Sequence, residues 1–217
     1  MVTTTVHLVR HGEVHNPTGV LYGRLDGYHL STRGFAMAQR LADHFAGRAG
    51  EPRADVVHVV ASPLQRAQET ATPVADALGV ELATDARLLE AENHFEGMTF
   101  GVGDGSQRRP AHWRFLWNPF RPSWGEPYRA QVARMLAAVD AARRAADGHE
   151  AVLVSHQLPI WVTRQAVEGK RLWHDPRSRQ CSLASVTSLV FDGDDLRVRY
   201  SEPCADLLPD ARSVPGA

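Results

Sequence analysis

The chain has 217 residues, of which 43% are hydrophobic and 23% charged, with a formal net charge of −1 at pH 7. That length supports one well-buried domain or two small ones, and the composition excludes a disordered chain. The near-neutral balance excludes a nucleic-acid binder working through an overall basic face, so a phosphate-handling site must be a local cationic patch.

The N-terminus, MVTTTVHLVRHG, has no basic stretch followed by an apolar run, so no signal peptide is expected. Thr4 to Arg10 (TTVHLVR) is rich in β-branched residues and predicts a first strand that stops at His11-Gly12. His7, His11 and His15 would share a face of a helix. On a strand they spread along about 27 Å, so neither a metal nor any other cofactor is expected there. A loop with Asn16, Pro17, Gly19, Gly23 and Gly27 follows. Ser31 is a candidate N-cap for a helix in which Phe35, Ala38, Leu41, Ala42 and Phe45 recur at helical spacing.

Val56 to Ala61 (VVHVVA) predicts a second strand, apolar enough to be buried on both faces. Pro63 suits a first helical turn, and a helix should run to about Leu78, with Gly79 as its stop. Residues 80–100 show no clear period. Residues 101–127, dense in Gly, Pro, Arg and Trp, predict a long irregular excursion. A helix from Glu126 to Ala146, a strand from Ala151 to Ser155, a helix from Pro159 to Val167 and a hairpin of Ser182–Phe191 with Leu196–Tyr200 complete the chain. Cys181 and Cys204 are the two cysteines, with no CxxC pair, which points to a reducing compartment. No apolar run reaches the roughly 20 residues that cross a bilayer, so the expectation is a cytoplasmic protein without a membrane partner.

The alternation of strands and helices predicts an α/β domain with a mainly parallel sheet. Three predicted strands end in polar, reactive residues: Arg10-His11-Gly12-Glu13, Ser62 with Arg66 a helical turn on, and Ser155-His156. Ligands of open α/β sheets bind at the carboxyl ends of strands, so two histidines and two arginines could meet there despite their separation in sequence. Arginine offers a planar fork of donors that matches phosphate oxygens, and neutral imidazole can act as a nucleophile. Two guanidiniums and the start of the helix after Ser62 would neutralise a phosphoryl group without a metal.

Leu8-Val9-Arg10-His11-Gly12-Glu13 resembles the signature of the histidine phosphatase, or phosphoglycerate mutase-like, superfamily. The stretch from Ser62 to Ala71 (SPLQRAQETA) is similar to its second block, and Val154-Ser155-His156 to its third. Leu30-Ser31-Thr32-Arg33-Gly34 resembles the segment after the phosphate loop. The resemblance implies a phosphoglycerate mutase-like three-layer sandwich, with helices on both faces of the sheet and a lid insertion near 90–127. It implies one domain over residues 1–203, and a tail from 204 to 217 is expected to be flexible. It also implies metal-independent hydrolysis of a small phosphorylated metabolite by a histidine-type acid or neutral phosphatase. The alternatives are a phosphomutase and a catalytically silent phosphoester-binding protein.

By the same resemblance His11 becomes phosphohistidine, Arg10, Arg66 and His156 clamp the phosphoryl oxygens, and Glu90 in Leu88-Leu89-Glu90 protonates the leaving group. Glu92 is its competitor. Asn16, Tyr22, Arg24 and Gln157 are further candidates for substrate binding. Gln157 stands where the family usually carries Gly, and Asn16 lies one residue earlier than the family's Asn. The segment from Glu90 to Gly97 is one residue short and lacks the usual Gly-x-Trp. Glu13 has two readings, a part in the proton network or a simple balance to the arginines. Arg108, Arg109, Arg114 and Arg121, interleaved with Trp113, Trp117 and Trp124, would either recognise an anionic or ring-bearing substrate body or cap the domain with buried Trp and solvated Arg. No nucleic-acid partner is expected, and a homodimer is one oligomeric state the sequence leaves open.

Overall fold

The computed structural model describes residues 3–48, 50, 52–100, 108–115, 117–118 and 124–211. Six strands form one sheet: β1 (Thr3–Arg10), β2 (Val56–Ala61), β3 (Leu82–Thr84), β4 (Glu150–Ser155), β5 (Val186–Asp192) and β6 (Asp195–Ser201). Their order is β3-β2-β4-β1-β5-β6. The pairs β2–β3, β2–β4 and β1–β4 are parallel, and the terminal hairpin β5–β6 adds to β1 antiparallel.

The pleat sends alternate residues to opposite faces. Val9, Val59, Ala61, Val152 and Val154 pack with Met37, Leu41, Phe45, Ala71 and Val74 of α1 (Thr32–Phe45) and α2 (Gln65–Leu78). Their neighbours Val6, Leu8, Val60, Ala151 and Leu153 pack with Met135, Ala138, Val139 and Ile160 of α3 (Tyr128–Ala145) and α4 (Gln157–Val167). The expected α/β layers, a mainly parallel sheet between two helical layers, are therefore present.

Local signals set most boundaries. Ser31 caps α1 by accepting from the Gly34 N–H at 3.0 Å. Gly79 ends α2 in the left-handed region, at φ 72°, where glycine carries no Cβ penalty. Several expectations need correction. Phe35 is 47% exposed, and Met37 fills the core face of α1 instead. Residues 82–84, read as irregular, form an edge strand. Residues 204–211 are packed rather than flexible: Cys204 is buried, and Leu207, Leu208 and Ala211 lie against the core. Part of the predicted lid, with Arg121, lies outside the described residues. Within the described part, Trp113 and Trp117 are 60% and 73% exposed, so they do not bury into the domain.

Candidate active site

Because β4 lies between β1 and β2, the three polar strand ends are neighbours. Arg10 sits in register with Ser155, and Ala61 with Val154. The His11 N–H donates to the Ser155 carbonyl at 3.1 Å, and the Ser62 N–H to the Val154 carbonyl at 2.9 Å. His11, Ser62 and His156 thus leave the sheet side by side, and all three are fully buried.

His11 has a defined tautomer. Its Nδ1 lies 2.8 Å from the Gly12 carbonyl. A carbonyl only accepts, so Nδ1 carries the hydrogen and Nε2 carries the lone pair. Nε2 has no hydrogen-bond partner in the protein. Burial, then Arg66 and Arg10, hold the His11 pKa well below the ordinary imidazole value, against the opposing pull of the Gly12 carbonyl. The ring is therefore neutral at pH 7 and aims a lone pair into a cationic pocket.

Arg66 enters from the first turn of α2 and is buried. It donates from Nη2 to the Gly23 carbonyl at 2.5 Å and stacks over the Tyr22 ring at 4.7 Å, while its Nε makes no hydrogen bond. Burial lowers its pKa, yet a guanidinium stays charged at any working pH. Arg10 is anchored through Nη1 to the Cys181 carbonyl at 2.7 Å. His156, the N-cap of α4, places Nε2 2.9 Å from Ser62 Oγ, and its Nδ1 has no partner. Burial, then Arg66, keeps it neutral, and its ring centroid is 5.2 Å from that of His11. Buried polar groups are almost always satisfied. Three orphaned atoms, His11 Nε2 and His156 Nδ1 at adjoining strand ends and Arg66 Nε in the first turn of α2, describe a cradle for an anion.

The two candidate acids stand in opposite environments. Glu90 is 2% exposed, and burial raises its pKa against an N–H from Ala91 at 2.8 Å and the fields of Arg66, Arg179 and Arg10. Glu92 is exposed and ion-paired with Arg24 at 2.8 Å. A raised pKa in a dry site is what a proton donor near neutral pH requires, and Glu90 has it.

Of the loop candidates, only Tyr22 reaches the histidine, its ring 6.5 Å from that of His11. Asn16 is not brought to the site: its amide donates to the Val20 carbonyl and accepts from the Val20 N–H, closing its own loop. Arg24 is also spent elsewhere. It donates to the Glu90 carbonyl at 2.6 Å and pairs with Glu92 and Glu126, so it braces the Glu90 segment and does not offer itself to substrate. Gln157 opens α4 and hydrogen-bonds the Cys181 carbonyl and Arg179. Glu13 accepts from the Ser31 hydroxyl at 2.6 Å, which ties it to the start of α1. Gly12 is needed for a close approach within the fold: an added Cβ would fall 2.7 Å from the Gly34 carbonyl oxygen.

Sequence reasoning missed three residues near the site. Arg134, on the Ala-rich α3, grips Glu126 with Nε and Nη2 at 2.8 and 2.9 Å and donates to the carbonyls of Arg87 and Leu89. Glu126 receives both Arg134 and Arg24. Arg179 lies in a segment without any motif. None of the three belongs to a recognisable block, and only their partners mark them.

Among the described residues no group of three or more His, Cys, Asp or Glu is arranged to hold a metal ion, and no helix is long and apolar enough to cross a membrane.

Residues 6–202 match the histidine phosphatase superfamily (branch 1). Uncharacterized protein Rv0525 of Mycobacterium tuberculosis is 59% identical over 203 residues, covering 93% of this chain and 98% of its own. The probable phosphoglycerate mutase GpmB of Enterobacter sp. is 27% identical over 190 residues, 83% of each chain. Among solved structures, Bacillus stearothermophilus YhfR superimposes with a TM-score of 0.73 at 26% identity, over 90% of this chain and 95% of its own.

Proposed function

The chain belongs to the histidine phosphatase superfamily (branch 1), and from that premise we propose that it hydrolyses phosphomonoesters of small cytoplasmic metabolites through a phosphohistidine at His11. The observation that carries this reading is the lone pair on His11 Nε2, buried, unpartnered and neutral beside two guanidiniums.

In the first half-reaction His11 Nε2 attacks phosphorus in line. The P–N bond forms as the P–O bond to the leaving group breaks, and Glu90 transfers its proton to the departing oxygen. Arg10, Arg66 and His156 meet the equatorial phosphoryl oxygens, where charge stabilisation does most of the work. The phosphorylated ring is cationic, and its Nδ1–H binds the Gly12 carbonyl more strongly for that reason. In the second half-reaction water attacks phosphorus, the Glu90 carboxylate takes its proton, and the P–N bond breaks to release phosphate and restore neutral His11.

A phosphomutase is the second reading, favoured by the likeness to a probable phosphoglycerate mutase. Incubation with 3-phosphoglycerate separates the two. Phosphate release supports hydrolysis, and isomer without free phosphate supports the mutase. Turnover of para-nitrophenyl phosphate in the presence of a chelator tests both against a silent binding protein: no release from any phosphoester together with no isomer from 3-phosphoglycerate would sink catalysis.

A further inference from the structure

Among the described residues, one cation beside this pocket makes no ion pair. Arg179 is partly buried and reachable from solvent. Its Nε donates to His174 Nε2 at 2.9 Å and its Nη1 to Gln157 Oε1 at 3.3 Å. Both acceptors are neutral at pH 7, since burial pushes His174 down to about 4. Among the described residues no carboxylate is ion-paired with Arg179, although in the neighbouring brace Arg24 has two and Arg134 has one. A partly buried guanidinium held by neutral groups keeps its charge and most of its donors for something else.

Its hold connects it to the reaction centre. Gln157 donates to the Cys181 carbonyl at 3.4 Å, and the same carbonyl anchors Arg10 at 2.7 Å. The titratable groups in electrostatic reach are Tyr128, Glu90, Arg10 and Cys181. Burial keeps the Tyr128 and Cys181 protons on and raises the Glu90 pKa, and in the proposed reaction Glu90 carries its proton until the leaving group departs. Up to that step none of them supplies a negative charge. Glu90 marks the leaving-group side of the phosphate, so an anion at Arg179 would belong to the leaving group.

We infer that Arg179 is a specificity-determining residue that binds a second anionic group, a carboxylate or a further phosphate, carried by the leaving group of the substrate. This inference rests on the phosphatase reading above. The preferred substrates are then phosphomonoesters with another anion near the scissile oxygen, and neutral alkyl phosphates are poor ones.

The test compares esters in matched pairs by phosphate release: 3-phosphoglycerate against glycerol 3-phosphate for a carboxylate, and fructose 1,6-bisphosphate against fructose 6-phosphate for a second phosphate. In the wild type, kcat/KM for the charged member of at least one pair should exceed that of its partner tenfold or more, and the pair that shows it names the anion. Arg179→Gln should cut that ratio at least tenfold, mainly through KM, and Arg179→Lys should restore part of it. A merely structural Arg179 would depress both members alike and leave the ratio unchanged. Gln157→Gly, which loosens Arg179, should lower the ratio too and decides the matter if Arg179→Gln does not fold. Ratios near one in both pairs, or a ratio unmoved by these variants, overturn the inference while hydrolysis stands. If no phosphoester is turned over, the phosphatase reading fails separately, and equal calorimetric affinity for the two members of both pairs would then overturn this inference as well.

Discussion

In the brace behind the Glu90 segment, Arg24 and Arg134 give their N–H groups to Glu92, Glu126 and the carbonyls of Arg87, Leu89 and Glu90. In the neighbouring pocket, His11, Arg66 and His156 each keep a buried polar atom with no partner in the protein. The two clusters use the same kinds of side chain and differ in how they are satisfied. In the brace, charge meets charge and the chain is held still. In the pocket, donors and a lone pair stay unmet, each at a cost of about 1–3 kcal/mol that packing elsewhere offsets. Arginine content therefore does not single out the candidate site, and the distribution of partners does.

Substitutions in the pocket should sharpen that contrast most. His11→Ala should lower kcat/KM for para-nitrophenyl phosphate by a factor on the order of 10³ or more and remove any acid-labile phosphoenzyme, as read by rapid quench. Full activity in this variant would remove His11 as nucleophile. Glu90→Gln should slow alkyl phosphates by a factor on the order of 10²–10⁴, and aryl phosphates, whose leaving groups need no proton, much less. Equal slowing of both would point away from an acid role.

The pH profile joins the two groups. As the proposed nucleophile His11 has to be unprotonated, and its lowered pKa should extend activity below the ordinary imidazole range, with loss as pH falls through that lowered value. As the proposed acid Glu90 has to be protonated, and its raised pKa should extend activity above the ordinary carboxylate range, with loss as pH rises through that raised value. For alkyl phosphates kcat/KM should therefore be bell-shaped, and Glu90→Gln should flatten only the alkaline limb.

In the brace the expected effect moves from rate to stability. Arg134→Ala breaks a two-point grip on Glu126 and frees two carbonyls beside the Glu90 segment. It should lower unfolding free energy by about 2 kcal/mol in urea titration, the scale of hydrogen bonds to a charged group. If stability holds and only alkyl phosphate turnover falls, the brace serves positioning alone and the contrast weakens. Trp117→Ala, on a side chain 73% exposed, should stay within about 0.5 kcal/mol of the wild type.

Much of the scaffold is legible in the chain. The runs behind β1, β2 and β4 are apolar and β-branched and stop at polar residues, and Ser31 and Gly79 mark helix ends by their local chemistry. The three-residue β3 is not legible, because an edge strand so short leaves no period to detect. Pro73 sits inside α2, where sequence rules favour a break. The helix passes through it with Ala71, Val74 and Ala75 buried on either side, so packing outweighs one missing backbone bond.

For the pocket, residue types and strand ends were enough to select His11, Arg10, Arg66 and His156, since their chemistry is written next to local signals. Asn16 and Arg24 looked equally suitable on type alone, and Arg179 looked like nothing. What separates them is the partner each one meets: Val20 for Asn16, two carboxylates for Arg24, two neutral acceptors for Arg179. Local sequence determines propensity, periodicity and chemical kind, because these depend on neighbours along the chain. Only the tertiary structure decides which charge is neutralised and which proton is held back, because those depend on which groups the fold brings into contact, whether 4 residues along the chain, as Val20 is from Asn16, or 102, as Glu126 is from Arg24.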